Sequence, residues 1–143
     1  MQSSAQFRLL GNDNNWLEET TAQIYTCAER YRKLAVLCPD DNRLTEVDER
    51  LWQNAAANFV SFAKADEADS SEVSVLLTTN LESIGRRPAV INLGGEIAPN
   101  LLTMQHLCEI VLNNEEAVAK ARTQYKMYRQ QGFHLQHHEL TNS

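Results

Sequence analysis

Residues 33–41 read KLAVLCPDD, and this stretch decides the fold. After its leading lysine, the segment 33–38 is a continuous apolar run stopped by Pro39. A short run without polar alternation predicts a strand buried on both faces, as in a parallel sheet. Asp40 and Asp41 then open a helix, with Leu44, Val47, Leu51 and Trp52 at helical spacing. Upstream, residues 6–10 (QFRLL) form a short apolar run closed by Gly11, Asn12 and Asp13, the punctuation of a strand and its turn. Between the two runs, Trp16, Leu17, Ile24, Cys27, Ala28 and Tyr31 suit a helix ending near Arg32, with Asn14 or Asn15 as its N-cap. Strand, helix, strand, helix implies a parallel pair joined by a right-handed crossover.

Further along, residues 58–62 (NFVSF) read as a brief strand and residues 64–72 (KADEADSSE) as a solvated acidic loop. Residues 73–78 (VSVLLT) and 88–93 (PAVINL) read as strands, separated by a turn over residues 80–87. Gly94 and Gly95 close the second of these. A helical turn is expected around residues 101–104, then a strand over 106–112 (HLCEIVL). Asn114 opens the last helix, with Glu115 and Glu116 in the first turn, where the helix dipole favours anions. Gly132 is placed as its left-handed stop, followed by Phe133. Residues 136–143 are polar and read as a flexible tail. The expected fold is α/β: one domain over residues 1–143, an open, mostly parallel sheet with helices on both faces, Rossmann-like without a nucleotide-binding motif.

Composition narrows the function. The chain has 143 residues and a net charge of −6, which argues against general duplex nucleic-acid binding, because that needs a broad phosphate-neutralising surface. Cys27, Cys38 and Cys108 are widely and irregularly spaced, so they read as buried free thiols and not as a zinc site or disulfide framework. The N-terminus has no signal-peptide pattern, and nothing approaches the ~20 apolar residues of a membrane span. A cytoplasmic protein is expected, with no membrane partner.

Catalytic motifs do not emerge. GxGxxG and GxxxxGK[ST] are both missing, and Gly94-Gly95-Glu96 reads more simply as a turn than as an anion nest. Ser61, Ser74 and Ser83 sit in no nucleophile elbow. Asp40, Asp41, Asp48 and Glu49 suit helix capping and a solvated face. His134, His137 and His138 cluster in sequence without a scaffold for a metal. His106, in an apolar segment, reads as a satisfied and partly buried histidine. The chain is read as non-enzymatic, without cofactor or metal.

One stretch stands out against this acidic background: residues 122–133, RTQYKMYRQQGF. Arg122, Lys126 and Arg129 fall at i, i+4 and i+7, on one helical stripe. Tyr125 lies at its edge, beside a second stripe of Val118, Ala121 and Tyr128 that suits a core. An aromatic ring beside cations suits a small negative ligand with an apolar end.

Residues 122–135 also resemble the C-terminal helix of the chi subunit of bacterial DNA polymerase III holoenzyme, meeting its pattern R-x-x-Y-K-x-Y-R-x-x-G-F-x-L throughout. FRLLGND resembles the opening of that family, CAERYRKLAVLCPDDNRLTEVDERLWQ its helix, strand and L-D-x-x-L-W segment, and RRPAVINLGGE its R-R-x-x-L-I-x-L strand. Val118 and Ser61 depart from the family, which often has a base and a proline there. The resemblance implies a non-catalytic accessory subunit of the clamp loader. Its partners would be the acidic, phenylalanine-ending C-terminal tail of single-stranded DNA-binding protein, the psi subunit and, in some bacteria, a DNA-repair helicase. DNA would be reached only indirectly. By the same resemblance, Arg122, Tyr125, Lys126 and Arg129 receive the tail, Phe59 lines the apolar part of the pocket, and Val111 or Leu112 completes its wall. Two alternatives stand beside this reading: a nucleotide-binding or hydrolase-like α/β domain, and a direct single-strand binder stacking bases on Tyr125 and Tyr128.

Overall fold

The apolar runs of the sequence meet in a single sheet. The computed structural model describes residues 3–95, 97 and 104–140. Its seven strands are β1 (Ser4–Leu9), β2 (Leu34–Leu37), β3 (Phe62–Lys64), β4 (Val75–Thr78), β5 (Ala89–Asn92), β6 (His106–Val111) and β7 (His134–Glu139). They lie in the order β3-β4-β2-β5-β6-β1-β7, and every pairing is parallel. β2, β4 and β5 are buried at every position, which is why they carry no polar alternation.

Among the described residues, three α-helices cover the two faces: α1 (Trp16–Tyr31), α2 (Asp41–Gln53) and α3 (Glu115–Gln130). On one face Ile24 and Cys27 of α1 and Leu44, Val47 and Leu51 of α2 pack over Leu34, Val36, Val75, Leu77 and Ile91. On the other, Tyr128 of α3 packs with Phe133 over Phe7, Ala35, Val90, Leu107 and Val111. The three cysteines are free and buried. Burial raises the thiol pKa to about 11 at Cys27 and about 12 at Cys38, so neither is a ready nucleophile.

The caps follow from side-chain chemistry. The Arg43 amide donates to Asp40 Oδ1 (2.8 Å) and the Ala117 amide to Asn114 Oδ1 (2.8 Å), so both acceptors satisfy an orphan first-turn N–H. Before α1 a 3-10 turn, Asp13–Asn15, intervenes. Asn12 takes the capping role by accepting from the Asn14 amide, and Asn15 makes no side-chain cap. Gly132 adopts φ 87° after α3, as its position in the sequence predicts.

Two expected elements shift. Residues 58–61 are not a strand; β3 begins only at Phe62, where it can pair with Val75 of β4. Residues 136–139 are not a loose tail: they continue β7, whose backbone is held along β1 from Ser4↔His134 to Leu9↔Glu139. The helical turn expected around residues 101–104 lies, Met104 apart, outside the described residues. At the amino-terminal ends of β2 and β4, the buried Arg87 donates to the carbonyls of Leu34, Val73, Ser74 and Ser70 at 2.9–3.2 Å. It ties the acidic connection to the sheet through backbone oxygens. No described helix is long and apolar enough to cross a membrane.

Candidate peptide-binding site

The basic stripe lies on α3, which crosses the β6–β1–β7 side of the sheet and exposes its cations at the rim. Tyr128 and Gln124 point inward and are buried, whereas Arg122, Lys126 and Arg129 point outward and are exposed. Among the described residues, no side-chain hydrogen bond or ion pair engages these three cations; the single ion pair joins Arg8 to Glu19 elsewhere. Their charge is therefore uncommitted.

Beside them a pocket of about 320 Å³ opens between α3 and the sheet edge. Phe7 and Leu9 of β1 form its floor, Val118, Ala121 and Tyr125 its apolar wall, and Arg122, Lys126 and His137 its charged or titratable rim. The Tyr125 ring sits 5.5 Å from the Phe7 ring and is half-buried, so the floor is shaped by an aromatic pair. Arg129, a turn further on, extends the stripe without lining the pocket.

The structure brings together only part of the residue set drawn from the sequence. Arg122, Tyr125 and Lys126 converge. Val111 and Leu112 instead line a second pocket of about 280 Å³, with Pro39, Leu93, Glu109 and Lys120. The two pockets occupy opposite flanks of the buried face of α3 and share Ala121. Phe59 joins neither. It lies in the connection between α2 and β3, the sheet edge opposite β7, and is 71% exposed. Phe7, Leu9 and His137 come in their place. Because β7 reads as tail in the sequence, nothing there brings β1 and His137 to α3.

Beneath α3 lies a polar network that sequence motifs do not reveal. Glu109 of β6 is buried and sits in register with Asn92 of β5. Its carboxylate accepts from the Tyr128 hydroxyl (2.5 Å), from Gln124 Nε2 (3.0 Å) and from Asn92 Nδ2 (2.9 Å). Burial pushes the Glu109 carboxyl up to about 7, against the pull of these three donors. Burial likewise raises the Tyr128 phenol, helped by the adjacent carboxylate. A signal was present: Glu109 and Asn92 are polar residues inside otherwise apolar strand runs, which only mutual satisfaction permits.

These contacts also answer the competing readings. Tyr128 has no exposed surface and cannot stack a base. The Gly95 amide donates to Asn92 Oδ1 (2.8 Å), so that amide is committed within the turn and not free for a phosphate. His106 is the satisfied, half-buried histidine anticipated. It lies 2.8 Å from Ser4 Oγ and 3.1 Å from Gln6 Nε2 and stacks on Tyr31, and burial lowers its pKa. No group of three or more His, Cys, Asp or Glu among the described residues could hold a metal ion.

Comparison with known proteins places this arrangement. The family described as DNA polymerase III chi subunit, HolC, matches residues 3–136. The chain is 30% identical over 141 residues to the DNA polymerase III subunit chi of Haemophilus influenzae, covering 94% of this chain and 96% of that protein. It is 28% identical over 139 residues to that of Escherichia coli, covering 92% and 95%. With that of Pseudomonas aeruginosa it shares 29% identity over 103 residues, 72% of this chain and 71% of the relative. The fold, the helix motif and these matches together assign the chain to the DNA polymerase III chi subunit family.

Proposed function

We propose that this chain is a non-catalytic accessory subunit of a bacterial replicative clamp loader. In this reading it binds the acidic, phenylalanine-ending C-terminal tail of single-stranded DNA-binding protein in the pocket beside α3. The observation that carries it is the pairing of uncommitted cations, Arg122 and Lys126, with an apolar floor of Phe7 and Leu9. The terminal phenyl ring fits the floor, the terminal carboxylate pairs with the Arg122 guanidinium, and the tail's acidic side chains lie along Lys126 and Arg129. Such a short peptide buries little surface, so its affinity is modest and strongly salt-sensitive. A subunit of net charge −6 would then reach DNA through the coating protein and not through phosphates.

The link to the psi subunit falls on a different surface in this reading. Trp52 and Phe59 are 64% and 71% exposed, and Trp52 packs edge-on against Phe62. Both exposed rings belong to the β3 side of the sheet, away from the tail pocket, so both partners fit at once.

The deciding experiment titrates a labelled acidic peptide ending in phenylalanine into wild type and Arg122→Ala, at low and raised salt. Salt-sensitive binding weakened about tenfold or more in Arg122→Ala is the expected result. Binding unchanged by the substitution would move the site, and no wild-type binding at low salt would refute the tail reading.

A further inference from the structure

β7 carries His134, His137 and His138, and its register distributes them unequally. Side chains alternate along a strand, so Leu135 and His137 share one face while His134 and His138 share the other. Leu135 packs against the core under α3, which identifies the His137 face as the pocket face. His137 is paired in register with Phe7 and lines the same pocket as Arg122 and Lys126.

We propose that His137 is a third, conditional cation of this pocket, engaging a carboxylate of the bound acidic peptide when protonated and so making peptide affinity depend on pH. The inference rests on the acidic-tail reading of the pocket and adds a residue which that reading does not use.

Among the described residues, the charged groups facing His137 are few. From α3 come Arg122 and Lys126, which line the same pocket. On its own strand, Glu139 shares the same face two residues on. β1 contributes only Phe7 and Leu9 at this point. An acidic peptide offsets the two cations and offers a carboxylate, so its arrival draws a proton onto the ring. Linkage makes this reciprocal: if binding favours the protonated ring, protonation favours binding. Histidine ordinarily changes charge between about pH 5 and 8. The peptide's own carboxylates titrate near pH 4 and contribute nothing in that interval. The site thus discriminates acidic from neutral peptides more strongly in slightly acid than in slightly alkaline conditions.

The test measures affinity for a rhodamine-labelled acidic peptide ending in phenylalanine at pH 6, 7 and 8, at constant ionic strength. The proteins compared are wild type, His137→Asn, His137→Lys and the double variant His134→Asn/His138→Asn. Wild type is expected to bind about twofold to fivefold more tightly at pH 6 than at pH 8, the worth of an exposed ion pair. His137→Asn should be flat at the weaker level and His137→Lys flat at the tighter one, while the double variant behaves as wild type. Calorimetry in buffers of differing ionisation enthalpy should show proton uptake on binding that disappears in His137→Asn. Wild-type binding without pH dependence, or dependence that survives in His137→Asn, overturns the role of His137 and leaves the pocket standing. Absence of wild-type binding at every pH overturns both.

Discussion

Glu109→Gln should change how the stability of this protein depends on pH, and the structure gives the size of the change. The native carboxyl holds its proton up to about pH 7, whereas an ordinary carboxyl loses it at 4.5. Below pH 4.5 both states are protonated and the difference vanishes. As pH rises from 4.5 to 7 the unfolded chain releases the proton while the native chain keeps it, so unfolding is favoured progressively. Above pH 7 the loss is complete. At about 1.4 kcal/mol per pH unit, the fall between pH 5 and 8 is about 2–3 kcal/mol. Glutamine cannot ionise, so it removes this dependence. It also carries a cost of its own: its amide nitrogen faces donors on Asn92 and Gln124, which lowers stability by about 1–3 kcal/mol at every pH. Wild type should therefore lead the variant clearly at pH 5, and the lead should shrink by about 2–3 kcal/mol at pH 8. His106, whose pKa is lowered by burial, acts in the opposite sense, its stability being present above 6.5 and lost as pH falls from there through the lowered folded value. It is common to both proteins and cancels in the difference. Urea unfolding followed by tryptophan fluorescence at pH 5, 6, 7 and 8 reads the quantity directly. A difference between wild type and variant that stays constant across the series would refute this account of Glu109.

Two further substitutions probe other parts of the molecule. Gly132→Val should destabilise by about 1–2 kcal/mol or more, because φ is 87° there and a branched side chain resists left-handed backbone. A Cβ at that position meets nothing within 4 Å, so the cost is conformational, and an unchanged urea midpoint would contradict it. Trp52→Ala combined with Phe59→Ala should leave the circular dichroism spectrum intact and weaken association with the psi subunit about tenfold or more; retained co-elution on gel filtration would remove these two rings from the interface.

The parts of the fold legible in the sequence are those set by local chemistry. KLAVLC before Pro39 had to be a strand covered on both sides, and Asp40 and Asn114 had to be caps, because each signal depends on a few neighbouring residues. β7 was opaque for the opposite reason. HLQHHE is an edge strand with mostly exposed side chains, so no apolar alternation marks it, and its only ladder is to β1 at the far end of the chain. NFVSF misleads because its aromatic residues suggest burial, whereas Phe59 faces solvent and only Phe62 enters the sheet. In the candidate site, helical spacing alone was enough to group Arg122, Tyr125 and Lys126. The pocket floor was not legible, because Phe7 and Leu9 reach α3 through sheet order, which no local pattern records.

That sheet order has a consequence for how the protein is made. β1 is synthesised first yet sits between β6 and β7, two of the last strands to emerge. Until they arrive, both of its edges lack partners, and the nascent chain must carry them unpaired through most of translation. The floor laid down by residues 7–9 acquires its wall and rim only when residues 118–137 have left the ribosome. The pocket beside α3 is thus assembled only once segments far apart in the sequence have met, and a product interrupted before β7 lacks its rim.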